Sequence, residues 1–335
     1  MTTGRGVAVV TGASAGVGRA TALLLAESGF DVAVVARGRA GLEAAAKDVE
    51  STGRRSLVWR ADVADPAALD DAAERIESDL GPVDVWVNNA MTTIFAPFTE
   101  IDPAEFRRAV EVTFLGQVWG TRAALARMQP RDRGTIVNVG SALGFVSIPL
   151  QSPYCASKAA CRAFHDSVRA ELLHAGSRVR LSLVHLPGVN TTQFSWCRSV
   201  FRRHPRPVAP VYQPEVAARR IVDVAVDGRR AKVVGSWNSL LVAAAKLVPG
   251  VANQYASIGA WDTQLADEPL SPDRPVNLWE PADDDADFGA HGIFDDEAGG
   301  VLDRRFLRSL PSTGRDLALA VGRRAREVAA RVGAA

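Results

Sequence analysis

Residues Val7-Ala8-Val9-Val10-Thr11-Gly12-Ala13-Ser14-Ala15-Gly16-Val17-Gly18 decide the fold. The run 7–11 is continuous and apolar, as a strand buried on both faces must be. It enters a turn with Gly-x-x-x-Gly-x-Gly spacing and then a helical pattern. Glycine admits the tight turn and lets the backbone approach a pyrophosphate, which then rests on the amides of a helix N-terminus. Gly12, Ser14, Gly16, Val17 and Gly18 are therefore candidate ligands, and the ligand they point to is a dinucleotide.

Outward from this stretch, short β-branched runs alternate with longer amphipathic ones, the signature of βαβ units and a parallel sheet. Strands are expected near 7–11, 31–36, 56–60, 83–88, 134–140, 179–186 and 231–234, and helices near 17–28, 39–52, 66–79, 103–128, 154–175 and 214–227. Asp65-Pro66 and Asp102-Pro103 read as helix starts, with aspartate as N-cap and proline at the first helical position. Right-handed crossovers then give an α/β, doubly wound parallel sheet of about seven strands. Ligands of such sheets sit at the carboxyl ends of the strands. Gly12, Arg37, Asp62, Asn88, Ser141 and Pro187 all fall there.

The chain has 335 residues, a net charge of +1 and 47% hydrophobic residues. That is enough for one large α/β domain and an extension, with no global field to attract nucleic acid. Cys155, Cys161 and Cys197 have neither metal-ligand nor disulfide-framework spacing, which fits a reducing, cytoplasmic setting and no metal. The first strand starts within a few residues, leaving no room for a signal peptide. The best apolar window, 240–252, is interrupted by Lys246 and Pro249, so no spanning helix is expected.

Tyr154 and Lys158 lie one helical turn apart on one face. An ammonium beside a phenol favours phenolate and lowers the phenol's pKa. Such a tyrosine can pass a proton to or from a reacting oxygen. Ser141 stands thirteen residues upstream, after the apolar run 135–139. Hydride transfer to a carbonyl builds negative charge on its oxygen, which needs donors placed beforehand; Ser141 and Tyr154 are the candidates. At the end of the second strand stands Arg37 with no acid beside it. An acid there would bind the ribose 2′-hydroxyl of NAD, whereas an arginine accommodates the 2′-phosphate of NADP. NADP(H) is the expected cofactor, with Ser14 and Arg39 as further phosphate contacts. None of the five histidines has a metal-like partner at helical spacing.

Together, Thr11-Gly12-x-x-x-Gly16-x-Gly18, Asn88-Asn89-Ala90, Ser141, Tyr154-x-x-x-Lys158 and Pro187-Gly188 resemble the classical short-chain dehydrogenase/reductase family over about residues 5–235. The resemblance implies a Rossmann fold and an NADP(H)-dependent enzyme acting on CH–OH and C=O groups. It implies adenine contacts at Asp62 and Val63, where Asp62 reads equally as a loop cap. It implies that the segment of Asn88 and Ala90 supports the central sheet and lines the cofactor, and that Pro187, Gly188 and Thr191 form a nicotinamide segment, with Thr192 competing with Thr191 for the carboxamide contact. Lys158 would also hold the nicotinamide ribose. Two positions depart from the family's pattern. Met91 replaces a glycine after Asn88-Asn89-Ala90. Thr113 stands where a helix asparagine completes the Asn-Ser-Tyr-Lys tetrad, either keeping that residue's carbonyl relay or only packing a helix. The resemblance further implies a homodimer or homotetramer paired through helices 103–128 and 154–175. The alternative function is a catalytically reduced NADP(H)-binding sensor or scaffold.

Phe95, Phe98, Phe145, Ile148, Leu150, Phe194 and Trp196 follow strands whose loops converge in this architecture. They suggest an apolar pocket for a medium-sized carbonyl or alcohol, with 189–212 as a lid. The division expected is a catalytic domain over 1–235 and an extension over 236–335. Residues 262–300 hold twelve acids and one base, Arg274, and residues 304–331 hold eight arginines in a helical pattern. The acidic stretch is expected to pack on that basic helix or on the loop Arg198–Arg206, and Trp237, Trp261 and Trp279 to bury against the domain. The extension is expected to serve the substrate rather than the cofactor. A basic helix touching a membrane surface is the less favoured use of the tail.

Overall fold

The computed structural model describes residues 4–227, 232–235, 239, 242–243 and 260–299. Seven strands are β1 (Gly6–Thr11), β2 (Phe30–Ala36), β3 (Ser56–Arg60), β4 (Val83–Asn88), β5 (Thr135–Ser141), β6 (Arg180–Leu186) and β7 (Lys232–Val233). They form one sheet in the order β3-β2-β1-β4-β5-β6-β7, parallel at every pairing. The order reverses beside β1, which opens a crevice at the strand ends between β1 and β4.

Both faces are covered. Apolar residues do not alternate with polar ones along the central strands, because each of these strands is buried on both sides; every residue of β2 and β5 is buried. On one face Leu25 of α1 (Gly16–Glu27), Leu42 and Val49 of α2 (Arg39–Ser51), and Ile221 and Val224 of α7 (Pro214–Asp227) pack on Val10, Val32 and Val137. On the other, Leu69 and Ile76 of α3 (Pro66–Asp79), Met128 of α5 (Gly116–Met128) and Leu172 of α6 (Ser152–His174) pack on Val9, Val35 and Ile136. Both predicted aspartate caps form: Asp65 accepts from Ala67 N at 2.9 Å and Asp102 from Ala104 N at 2.7 Å.

The stretch 103–128 is not one α-helix. α4 (Pro103–Val110) and α5 are joined by a π-helical turn, Glu111–Leu115. At this wider turn Thr113 meets the loop after β4, donating to Thr92 O at 2.7 Å and accepting from Thr92 N at 3.0 Å.

The extension returns to the domain. Leu265–Pro269 pairs antiparallel with Arg203–Pro205, and Arg203 and Arg206 hold Asp267 and Glu297, so the acidic stretch does meet the basic loop. The arginine-rich segment 304–331 and Trp237 lie outside the described residues. Trp261 and Trp279 do not bury: they stay 42% and 52% exposed. Smaller residues anchor the segment instead. Leu278 sits among Ile94, Ala96 and Ala109, and Phe294 among Phe95, Phe194 and Ala266.

Candidate active site

A cavity of about 590 Å³ opens at the carboxyl ends of the strands and is lined by Gly12, Ser14, Gly16, Val17, Arg37, Asp62, Val63, Ala90, Ser141, Tyr154, Lys158, Pro187, Gly188 and Thr191. The sequence therefore names much of this wall. The glycine turn fits a dinucleotide's backbone. Gly12 and Gly16 hold φ of +65° and +57°, and a Cβ on Gly12 would stand 2.8 Å from Ala90 Cα. Gly18 is not among the residues lining the cleft. A Cβ there would collide with Gly12 O, so this glycine lets the turn close on itself, leaving the α1 N-terminus facing the cleft.

Ser141 ends β5 and caps the following turn, its Oγ accepting from Leu143 N at 3.1 Å. Tyr154 and Lys158 come from the first two turns of α6. The Tyr154 hydroxyl is hydrogen-bonded to Ser141. Lys158 is 2% exposed, its Nζ donates to Val139 O at 2.7 Å, and it stands 5.6 Å from the centre of the Tyr154 ring. The expected depression of the tyrosine pKa is not found. Burial holds the phenol above its ordinary value, and the hydrogen bond from Ser141 only partly opposes this. Burial also pushes the Lys158 ammonium down. The reason is common to both: a group shut away from water resists carrying charge. The resting phenol is thus neutral, beside the buried Lys158 side chain.

Two expected cofactor or catalytic residues do other work. Asn88 faces inward: its Nδ2 donates to Asn138 Oδ1 at 2.8 Å and to Thr121 Oγ1 at 3.1 Å, and its Oδ1 accepts from Trp86 Nε1 at 2.8 Å. It ties β4 to β5 and α5 and does not line the cleft. Its neighbour Asn89, which sequence reasoning passed over, braces the glycine turn through Thr11 O and Gly12 O at 3.0 and 3.2 Å. Thr113 is fully buried and outside the cleft wall, and its carbonyl receives the Cys161 thiol at 3.5 Å. That makes it a strut between the π turn, Thr92 and α6.

Arg37 lines the cleft, but its guanidinium is engaged. It donates to Trp279 O at 2.6 Å and to Asn277 O, and Asp62, Asp283, Glu280 and Arg108 surround it. Two of the donors expected to receive a 2′-phosphate are thus taken by the chain itself. Asp62 is both cap and wall: it accepts from Ala64 N at 3.0 Å and pairs with Arg108.

The partner of Arg37 is a strap, residues 277–295, laid along the outer end of the cleft. Gly38 precedes α2 without a side chain to cap it. The strap caps it instead: Arg39 N donates to Asp284 Oδ1, Ala40 N to Asp284 O and Gly41 N to Asp283 O, at 3.0–3.1 Å. Acidic residues suit a helix N-terminus. Farther on, Gly16 N donates to Gly289 O at 3.2 Å, and Arg19 pairs with Asp48 and Asp287. The extension consequently reaches the cofactor end as well as the substrate end, contrary to expectation. At the substrate end Gln264, buried, accepts from Gln151 Nε2 at 2.7 Å, just before α6.

Of the expected apolar wall, Ile148, Phe194 and Trp196 line the cleft, joined by Leu143, Val146 and Tyr212. Phe98 is 68% exposed, Phe95 and Leu150 are buried in the core, and Phe145 packs edge-on against His185. Val208, Ala209 and Pro210 of the expected lid do border the cleft. Among the described residues no helix is long and apolar enough to cross a membrane, and no group of His, Cys, Asp and Glu is arranged to hold a metal.

The comparisons with known proteins agree with this geometry. The short chain dehydrogenase family profile matches residues 6–199. The oxidoreductase YxnA of Bacillus subtilis is 29% identical over 85% of this chain and 79% of its own. Cis-4-hydroxycyclohexanecarboxylate dehydrogenase of Sinomonas cyclohexanicum is 34% identical over 66% of this chain and 89% of its own. A short-chain dehydrogenase/reductase from Burkholderia phymatum, solved with NAD, shares the fold at a TM-score of 0.68, 20% identity and coverage of 75% and 96%. A metagenomic short-chain oxidoreductase solved with NADP gives a TM-score of 0.58 at 27% identity, covering 69% and 96%. With its fold, its cleft and these relatives in agreement, this chain is an oxidoreductase and belongs to the short-chain dehydrogenase family.

Proposed function

We propose that the chain interconverts a carbonyl and an alcohol on a medium-sized apolar substrate, with a nicotinamide dinucleotide as hydride carrier. The observation that carries this reading is the meeting of Ser141, Tyr154 and Lys158 at one end of a cleft whose adjoining wall is Ile148, Phe194 and Trp196. When bound, the nicotinamide supplies or accepts the hydride. The substrate oxygen lies against the Ser141 and Tyr154 hydroxyls, which donate as negative charge grows on it. Tyr154, kept neutral by burial, holds the proton to be passed. Lys158, anchored on Val139 O, would hold the ribose hydroxyls of the bound cofactor. The donors are already in position before reaction, so little reorganisation is needed at the moment of transfer.

Turnover of a panel of apolar ketones and secondary alcohols, followed by nicotinamide absorbance, tests this. The wild-type protein should turn over at least one of them, and Tyr154→Phe should not. Undiminished turnover by Tyr154→Phe would remove the assignment. Cofactor binding without turnover of any compound would favour the sensor or scaffold alternative. A homodimer or homotetramer through the α4–α5 and α6 helices goes with the same reading, and a monomeric mass in light scattering at micromolar concentration would remove it.

A further inference from the structure

Dinucleotide folds take the adenosine ribose between the glycine turn and the end of the second strand, where an acid accepts from the 2′-hydroxyl or an arginine meets a 2′-phosphate. In this chain β2 ends in Ala36-Arg37-Gly38, with no acid. The strap brings one to that place. A Cβ on Gly38 would collide with Asp283 Oδ1, and one on Gly41 would stand 2.5 Å from Asp283 Oδ2 and 2.9 Å from Ser14 Cβ. The Asp283 carboxylate therefore fills the space left by two glycines, beside Ser14 of the glycine turn, and lines the cleft.

We propose that Asp283 accepts the 2′-hydroxyl of the cofactor's adenosine ribose and makes the chain select NAD(H) over NADP(H). The proposal rests on the reading that the cleft holds a nicotinamide dinucleotide. Asp283 is 6% exposed, and its Oδ2 is buried and accepts no hydrogen bond from the described residues. A buried acceptor without a donor is costly to leave so. A ribose hydroxyl is a donor and satisfies it. A phosphate on the same carbon offers only acceptors and brings a second negative charge. Its two natural seats are contested: two donors of the Arg37 guanidinium go to the carbonyls of Asn277 and Trp279, and the α2 N-terminal amides go to Asp283 and Asp284. Asp62 and Glu280 add to the negative surroundings of Arg37. The carboxylate is held in place by its own backbone, since Gly41 N donates to Asp283 O at 3.1 Å.

The test is a set of dissociation constants for NADH and NADPH, from nicotinamide fluorescence on the full chain, for the wild type, Asp283→Asn and Asp283→Ala, each checked for folding by circular dichroism. The wild type should bind NADH tighter than NADPH by roughly tenfold or more, the scale of a lost hydrogen bond to a charged group. In both variants that ratio should shrink by roughly the same factor. Equal affinities or a preference for NADPH in the wild type would overturn the proposal while leaving the dinucleotide reading intact. So would variants that weaken both cofactors equally, since Asp283 would then only hold the strap. Binding of neither cofactor to the wild type would remove the dinucleotide reading and this proposal with it.

Discussion

The two ends of the cleft are held in opposite ways. At the inner end, Ser141, Tyr154 and Lys158 depend on a few short bonds in a dry setting, and Lys158 is 2% exposed. At the outer end, Arg19, Arg37, Arg39 and Arg60 meet strap atoms through many contacts, several open to solvent. The Arg60–Asp284 pair, for example, leaves its side chains 52% and 39% exposed. Charges in water are screened, and such pairs are each worth little. On the proposed mechanism, chemistry would rest on single groups without a substitute, whereas the outer end is held by a network of many contacts. Asp283, 6% exposed, is the member of that network on which the proposed cofactor selection turns.

The sharpest way to break this contrast is Tyr154→Phe. Removing one hydroxyl at the dry end should lower kcat by about 10²–10⁴-fold, the range of general acid–base catalysis, with the NADH dissociation constant nearly unchanged. A comparable loss of cofactor affinity would show that the two ends are not separable. Leu278→Ala attacks the outer end at its apolar anchor, which is 1% exposed among Ile94, Ala96 and Ala109. Truncating a buried leucine costs about 2–5 kcal/mol, so limited proteolysis should cut the 260–299 segment faster while the sheet domain resists. Unchanged proteolysis would mean that the polar contacts alone hold the strap.

Acid should sharpen the contrast, because the dry end carries buried histidines. Burial lowers His165 and His185 to about 4 from 6.5. His185 lies behind Ser141, with Nδ1 3.3 Å from its carbonyl. Since the folded values lie below the unfolded one, the unfolded chain binds more protons as pH falls. Their contribution is therefore complete above about pH 6.5 and is lost as pH drops toward 4, at about 3 kcal/mol per histidine. Chemical denaturation at several pH values checks this, and a flat profile across that window would refute it. His291 runs the other way. Burial would lower it, but Glu215 and Asp295 raise it above 6.5, so its hold on residues 291–295 should be full below pH 6.5 and weaken as pH rises through its folded value. It is largely exposed, so the effect is small. Smallest of all should be Arg60→Ala, with a stability change of about 1 kcal/mol or less. A larger loss would mean that the strap is held cooperatively rather than by many independent contacts.

The inner end was legible because its residues follow one another on single elements: Tyr154 and Lys158 on one helix face, Ser141 at the tip of a strand whose pattern is plain. The alternation of elements gave the seven strands within a residue or two. The Asn88 assignment failed because direction, not position, decides it. Asn88 and Asn89 are adjacent in an extended strand end, where side chains alternate between faces, so one serves the sheet and the other the turn. Thr113, left open between a carbonyl relay and helix packing, packs at a π turn, which no side-chain periodicity announces. The strap was illegible for a different reason. Its docking runs largely through backbone groups, and its one signal was negative: Gly38 stands before α2, where a capping side chain belongs. The Tyr154 pKa was misjudged because spacing reveals the neighbouring lysine but not how far both are shut from water.

The strap also orders events in time. Its side-chain bonds to the first βαβ unit join positions 240–268 residues apart, from Arg37–Asn277 to Arg19–Asp287, and contacts of such separation are costly to close and form slowly. Chains are synthesised from the N-terminus, and early portions can fold first. The glycine turn, Arg37 and the bare start of α2 are therefore synthesised before residue 277 exists. For that interval the chain lacks the strap's acids, so on the proposed reading a dinucleotide would meet Arg37 without them.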